Sequence, residues 1–397
     1  MTKIFLVVFL AAFSLLAEVW HSENEWSLDW ENKYSDWVKE SWVQEIFTDE
    51  ESLLYGLKTD CADATYFMRA YFSYKNKLPF VATSSSGKLL TEKSKQFDFL
   101  LDENKKFISF LKYIADVTNT YTLAKDTLPI PMNRKVLRAG AVYVSPGIHS
   151  YQIVDLDEYG NVTTLSSTVP RDVRILFKNY GFPFYIPKDI KSEKDGFRVF
   201  KWPSEYTLPD KENLRRSSEQ YELFKPYENS FVRYNDFVID RFKLKAEPLE
   251  NKINRVYESL CYYSRERSAQ VTQAYVRWLE TRKTCLSRSD YDEYSTFFRD
   301  DQLKEYFNYF RSIRSNESWS ELSSETKEKF LSVFNQKYAR MGCLVETTWP
   351  QQPVITLFEI REALEKGLIV SDPNADIAQR WGLKSFGPKC LRYETVP

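Results

Sequence analysis

The run from Lys58 to Phe80 constrains the chain more than any other stretch. It places Asp60 directly before Cys61, continues with apolar residues at helical spacing to about Tyr74, and ends in a Leu-Pro-Phe loop. Because Asp is a favoured N-cap residue, we predict a helix that begins at Cys61. The unpaired N–H groups at a helix start carry partial positive charge, which favours a thiolate. The pattern therefore predicts a nucleophilic cysteine, and an inert buried cysteine is the alternative.

The histidine count leaves this cysteine a single imidazole partner. The chain has only two histidines, His21 and His149. His21 follows closely on an apolar N-terminal run, in a segment that we expect to be a loose end of the chain. His149 stands directly before a predicted β-strand, after a Pro-Gly loop. We therefore expect His149 to serve Cys61, with a purely structural turn or core histidine as the alternative.

The four other cysteines are disulfide candidates, and all lie in the C-terminal half: Cys261, Cys285, Cys343 and Cys390. Two disulfides among them would leave Cys61 as the odd thiol. On one unbroken helix, Cys261 and Cys285 would be about 36 Å apart and unable to pair. Either that helix breaks near Arg265, or the two cysteines pair with Cys343 and Cys390.

Residues 1–17 are typical of a secretory signal peptide. Lys3 precedes the apolar run from Ile4 to Leu16, and Ala17 is a small residue at a plausible cleavage point. An uncleaved anchor is the alternative, although the run is short for a membrane span. We expect an exported protein, periplasmic or secreted, without an integral span in the mature chain.

Composition excludes several classes of function. The net charge of −1 gives no long-range field for nucleic acid. The sequence has no Gly-rich phosphate loop, and two histidines are few for a zinc site. We therefore expect neither a cofactor nor a bound metal.

The hydrophobic pattern divides the chain into segments after the signal peptide. We predict a Trp-rich N-terminal helical segment (18–50), an α+β domain (51–205), a charged linker (206–220) and an all-helical C-terminal domain (221–397). The α+β domain alternates as strands over 141–144, 150–157 and 162–167, with an edge strand that ends at Pro203. His149 then stands at the start of a β-hairpin.

A thiol hydrolase usually needs a third group that orients its imidazole. The return strand of the hairpin brings Ser166 back toward His149, and Asp172 follows shortly after it. We rank Ser166 first for this role and Asp172 second. Tyr55 and Asp60 are candidates for support of the oxyanion and of the cysteine.

These residues resemble the core pattern of the transglutaminase-like superfamily. The resemblance rests on Asp60–Ala64, Met68–Ala70 and Leu78–Phe80, followed by the hairpin from His149 to Ser167. Papain-like cell-wall peptidases, which are related, share the Asp-Cys start. The resemblance implies an α+β core and a Cys–His(–Asp) hydrolase, and it covers about residues 55–167. The acid of the family falls near Ser166 here, which departs from its pattern.

Two functions follow as expectations. The first is an exported thiol hydrolase, a peptidase or amidase or an acyl transferase, that uses Cys61 and His149 on peptide or isopeptide bonds. Its substrate would be a peptide, peptidoglycan or a protein. The second is a catalytically degenerate binding or scaffold protein of the cell envelope, which the missing acid favours.

Overall fold

The computed structural model describes residues 18–181, 187, 191–227, 230–281, 285–314 and 317–383. The predicted signal peptide and Cys390 lie outside the described residues. Within these ranges, no helix combines the length and the apolar character that a membrane span requires. The fold is α+β, as the sequence predicts.

Twelve α-helices are present in the described parts of the chain. They are α1 (Leu28–Ser41), α2 (Cys61–Lys75), α3 (Glu103–Val117), α4 (Thr120–Lys125), α5 (Glu219–Phe224), α6 (Phe231–Phe242), α7 (Leu249–Glu280), α8 (Arg288–Tyr294), α9 (Phe297–Ile313), α10 (Ser324–Phe334), α11 (Leu357–Glu365) and α12 (Ile377–Arg380).

Ten strands accompany them in the same parts of the chain. They are β1 (Val81–Thr83), β2 (Leu89–Thr91), β3 (Thr127–Pro129), β4 (Val142–Ser145), β5 (His149–Leu156), β6 (Val162–Ser166), β7 (Phe177–Tyr180), β8 (Gly196–Phe200), β9 (Leu344–Glu346) and β10 (Val354–Thr356). The main sheet has the order β3-β8-β4-β5-β6-β7, and its paired strands run antiparallel.

Helix α2 begins at Cys61, as predicted, because two aspartates close its first turn. The Asp60 carboxylate accepts hydrogen bonds from the backbone N–H groups of Ala62 and Asp63 at 2.9 and 3.0 Å. The Asp63 carboxylate accepts the Asp60 N–H at 2.9 Å in return, which completes a capping box. Nearly every residue of α2 is buried, so this helix is the centre of the N-terminal core.

The main sheet is covered on both faces. One face carries α1, α2 and α3, whose apolar side chains share a core with Val154 and Leu165 of the sheet. The other face packs on α5 and α6, through a second core that includes Tyr143, Tyr151 and Phe224. A third core lies within the C-terminal half, between α7, α9, α10 and α11. This layering decides which strand residues face which helices.

Two fold predictions are wrong in detail. The strand that ends before Pro203, β8, lies inside the sheet between β3 and β4 and is not an edge. The reason is β3, a three-residue strand too short to predict, which pairs with β8 and forms the edge instead. The C-terminal half is not all-helical either, since β9 and β10 form a small antiparallel sheet whose Val345 and Ile355 belong to its core.

Helix α7 is continuous over 32 residues, so the alternative of a helix break near Arg265 is excluded. Its partner is Cys343, with Cα atoms 5.9 Å apart, so the pairing crosses between elements as one of the two predicted alternatives requires. Cys285 is also disulfide-bonded. Among the described cysteines, only Cys61 is free.

The Cys261–Cys343 bond spans 82 residues, and we expect it to stabilise the C-terminal half. In the chain-entropy model, a closed loop of this length contributes about 4 kcal/mol by restricting the unfolded chain. The double variant Cys261→Ala/Cys343→Ser should therefore unfold at a clearly lower urea concentration than the wild type, as followed by circular dichroism.

A reductant provides the control for this measurement. Because reduction opens the same loop in the wild type, the difference between the two proteins should largely disappear. Equal unfolding midpoints in oxidising buffer would contradict the expectation.

Candidate active site

Cys61 contacts strand β5 at Ser150, the residue that follows His149. The Cys61 carbonyl accepts hydrogen bonds from the hydroxyls of Ser150 and Thr65, each at 2.8 Å. The Ser150 N–H and hydroxyl are also close enough to the thiol to oppose the rise in its pKa. The cysteine itself is only 8 % exposed. The start of α2 is therefore fastened to β5 at Ser150.

A chain of polar side chains extends this attachment along the same face of the sheet. The Thr65 and Ser150 hydroxyls are 3.2 Å apart. The Gln152 amide donates to Thr65 at 3.1 Å, and the Trp42 indole donates to Gln152 at 3.0 Å. All four side chains are buried, so each bond satisfies a polar group that water cannot reach.

The His149 side chain lies on the opposite face of β5. Successive side chains of a strand alternate between faces, so His149 and Tyr151 point away from the face where Ser150 and Gln152 meet α2. The His149 ring accordingly packs edge-on against Tyr151, with ring centroids 4.4 Å apart. Like Cys61, His149 is only 8 % exposed.

The electrostatic environment keeps both groups neutral. Burial raises the pKa of the Cys61 thiol to about 12, and the Asp60 and Asp63 carboxylates act in the same direction, against the hydrogen bonds from Ser150. Burial lowers the pKa of His149 to about 3, and the positive charge of Arg299 adds to this effect. The lowered thiol pKa expected at a helix start is not found, because desolvation outweighs the helix terminus.

A cation, Arg299, lies close to His149 and acts on its pKa. The pairing of β5 with β6 ends at Gln152 and Leu165, so Ser166 and Thr168 lie one and three residues past its end, in the direction of His149. Arg299 donates to the Thr168 hydroxyl at 2.5 Å and to the Gln270 amide at 2.6 Å. Ser166 is buried two residues before Thr168 in the chain.

The remaining candidates occupy separate places. Asp172 pairs with Thr59 through two backbone hydrogen bonds of 2.9 and 3.3 Å, so it lies next to the Asp60–Cys61 turn and not at the strand that carries His149. Asp60 is the N-cap of α2. Tyr55 lies in the turn before α2, where its side chain is 51 % exposed.

The C-terminal half adds polar residues to the His149 face that sequence reasoning missed. Glu266 of α7 is buried 3.9 Å from the Arg299 guanidinium. Burial raises the pKa of this carboxyl group, although Arg299 and Arg174 counteract the shift. Glu266 and Arg299 are more than 100 positions from His149 in the chain, so no local pattern associates them with it.

Within the described parts of the chain, no group of three or more His, Cys, Asp or Glu side chains is arranged to hold a metal ion. Comparison of the sequence with protein-family models and with curated proteins, and of the fold with solved structures, finds no match. The interpretation of Cys61 and His149 therefore depends on their own geometry.

The buried neutral His149 should make the fold sensitive to acid. Its pKa is about 3 in the folded protein and 6.5 ordinarily, so the unfolded chain binds a proton more readily. Stability should therefore fall as the pH drops below about 6.5, and by pH 5 the loss attributable to His149 is about 2 kcal/mol. We expect the variant His149→Phe, which retains an aromatic ring beside Tyr151, to lack this contribution.

Urea unfolding of both proteins between pH 7.5 and pH 5 measures the effect as a difference in pH dependence. The variant His21→Phe is the matched control, because it removes the other histidine at an exposed position. Parallel pH profiles for the wild type and His149→Phe would show that His149 is not held neutral by its surroundings.

Proposed function

We propose that the protein is an exported binding protein of the cell envelope, on an α+β core that resembles those of thiol hydrolases but does not turn over substrate. The observation that carries the proposal is the Arg299 guanidinium close to His149, whose positive charge opposes the imidazolium that thiol catalysis requires. The oxidised Cys261–Cys343 pair supports an oxidising compartment.

The energetics favour this function over catalysis. A thiolate–imidazolium pair forms when His149 takes the proton of Cys61, whose pKa lies about nine pH units higher. That gap corresponds to roughly 12 kcal/mol. Attraction between the resulting charges returns only about 4 kcal/mol at contact distance in a protein environment. The reactive ion pair is therefore very sparsely populated in this conformation.

One observation favours the second candidate, a thiol hydrolase. Ser150 fastens the start of α2 to β5 and is the chain neighbour of His149, so Cys61 and His149 meet neighbouring backbone positions on opposite faces of β5. In this candidate, Cys61 attacks a peptide carbonyl, and His149 accepts the thiol proton and delivers it to the leaving amine, with Ser166 beside the imidazole. A backbone N–H group near Cys61 holds the oxyanion, and water then releases the acyl group. Peptidoglycan or a protein would be the substrate.

Alkylation of the free thiol separates the two functions. Cys61 is the free cysteine of the described chain, so iodoacetamide reports on it in non-reducing buffer. With a pKa near 12, the native thiol should react at pH 8 on the order of a thousandfold more slowly than an exposed cysteine. The rate should be the same in His149→Ala, because the imidazole does not activate the sulfur.

The controls identify the labelled residue and the alternative outcome. Unfolding in urea should expose the thiol and restore an ordinary rate, and Cys61→Ser should remove that signal. Rapid labelling of the native protein below pH 7 that disappears in His149→Ala would overturn the binding function and favour the hydrolase.

A further inference from the structure

Strand β7 leaves one edge of the main sheet open next to helix α7. It pairs with β6 on one side and is the last strand in the sheet order. The Gly181 N–H donates to the Val162 carbonyl at 2.9 Å, which marks these opposed residues as a hydrogen-bonded pair. Such pairs alternate along antiparallel strands, so the backbone N–H and C=O groups of Lys178 and Tyr180 point away from β6. Because Gln44 bonds the backbone of Leu176 and α7 bonds the Tyr180 carbonyl, the outward groups of Lys178 are the part of this edge that can accept another chain.

Helix α7 forms the opposite wall and closes one end of the space. Its Ser259 hydroxyl donates to the Tyr180 carbonyl at 3.4 Å, and its Arg255 guanidinium donates to the Gly181 carbonyl at 3.3 Å. Toward Lys178 the strand and the helix separate and leave a cleft of about 270 Å³. We call this space the β7–α7 cleft; its lining includes Lys178, Asn179, Tyr262 and Arg265.

One buried polar side chain in the lining of the cleft, Asn179, is available to a ligand. Asn179 is only 5 % exposed, and its side-chain oxygen has no hydrogen-bond partner among the described residues. A buried amide oxygen left in this state destabilises the free protein, and a ligand N–H would satisfy it. Asn179 therefore offers a buried hydrogen-bond acceptor to a ligand in the cleft.

The charges of the cleft select an anion. Lys178 and Arg265 are both exposed, and neither forms an ion pair within the described residues. Glu258 is the single acid of the lining, so the cleft carries a net positive charge. A lysine on an edge strand also discourages aggregation, but that role explains neither Arg265 on the facing helix nor the unpartnered Asn179.

We propose that the β7–α7 cleft binds an extended peptide that carries a carboxylate. The peptide adds to the sheet through the outward backbone groups of Lys178, Asn179 bonds its main chain, and Lys178 and Arg265 hold the carboxylate. This inference names a partner for the proposed binding function and rests on it, but it does not depend on the ionisation of Cys61. The carboxylate belongs either to the C-terminus of the peptide or to an acidic side chain within it.

Phage-displayed octapeptides with random sequences and free C-termini test the inference on the full-length protein. Selection on the immobilised wild type should enrich peptides that bind at least tenfold more weakly to the double variant Lys178→Glu/Arg265→Glu. Lys211→Glu/Arg314→Glu is the matched control: it makes the same charge change at exposed residues outside the cleft lining and should bind like the wild type.

Synthetic versions of the enriched peptides distinguish the two sources of the carboxylate. Loss of binding on C-terminal amidation indicates the terminal carboxylate, and loss on exchange of an internal acid for its amide indicates a side chain. Enrichment that fails to exceed a selection on the Lys178→Glu/Arg265→Glu protein, or enriched peptides that bind both double variants equally, would overturn the inference. Thiol labelling decides the state of Cys61 separately, so the two proposals can fail independently.

Discussion

The attachment of α2 to strand β5 determines how the rest of the N-terminal half is arranged. A helix buried around its whole circumference cannot leave its terminal backbone groups to water, so its first turn needs partners inside the protein. Asp60 and Asp63 bond the free N–H groups, while Ser150 and Thr65 bond the Cys61 carbonyl. These bonds bring the thiol to the residue next to His149 whether or not the two side chains react.

The same attachment works against the chemistry that its position suggests. A helix terminus stabilises a nearby negative charge by about 0.3–1 kcal/mol when exposed and by about 2 kcal/mol when partly buried. Burial opposes a thiolate more strongly, and the aspartates that start the helix place their own negative charge beside the sulfur. The residues that make α2 begin at Cys61 are thus among those that keep its thiol protonated.

Local signals predict local structure, and the differences arise where distant segments meet. The N-cap at Asp60, the hairpin of β5 and β6 and the α+β class follow from residue spacing, because each depends on neighbours in the chain. The interior position of β8 depends on β3, about 70 residues away, whose three residues carry no usable period. The charge beside His149 comes from Arg299, 150 positions later, so strand parity could direct attention to Ser166 but not to a cation.

The packing of α7 and its neighbours on the second face of the sheet accounts for both proposed properties. Tyr262 of α7 packs against Phe177 of β7, and Glu266 of the same helix lies beside Arg299 of α9, so these helices cover the face that carries His149. With both faces covered, the strand edges are the parts of the sheet left to meet a partner. Because α7 also runs along the β7 edge, a helix that covers this face of the sheet also forms a wall of the cleft. The neutral state of His149 and the proposed binding cleft then both depend on how α7 and α9 pack against the sheet.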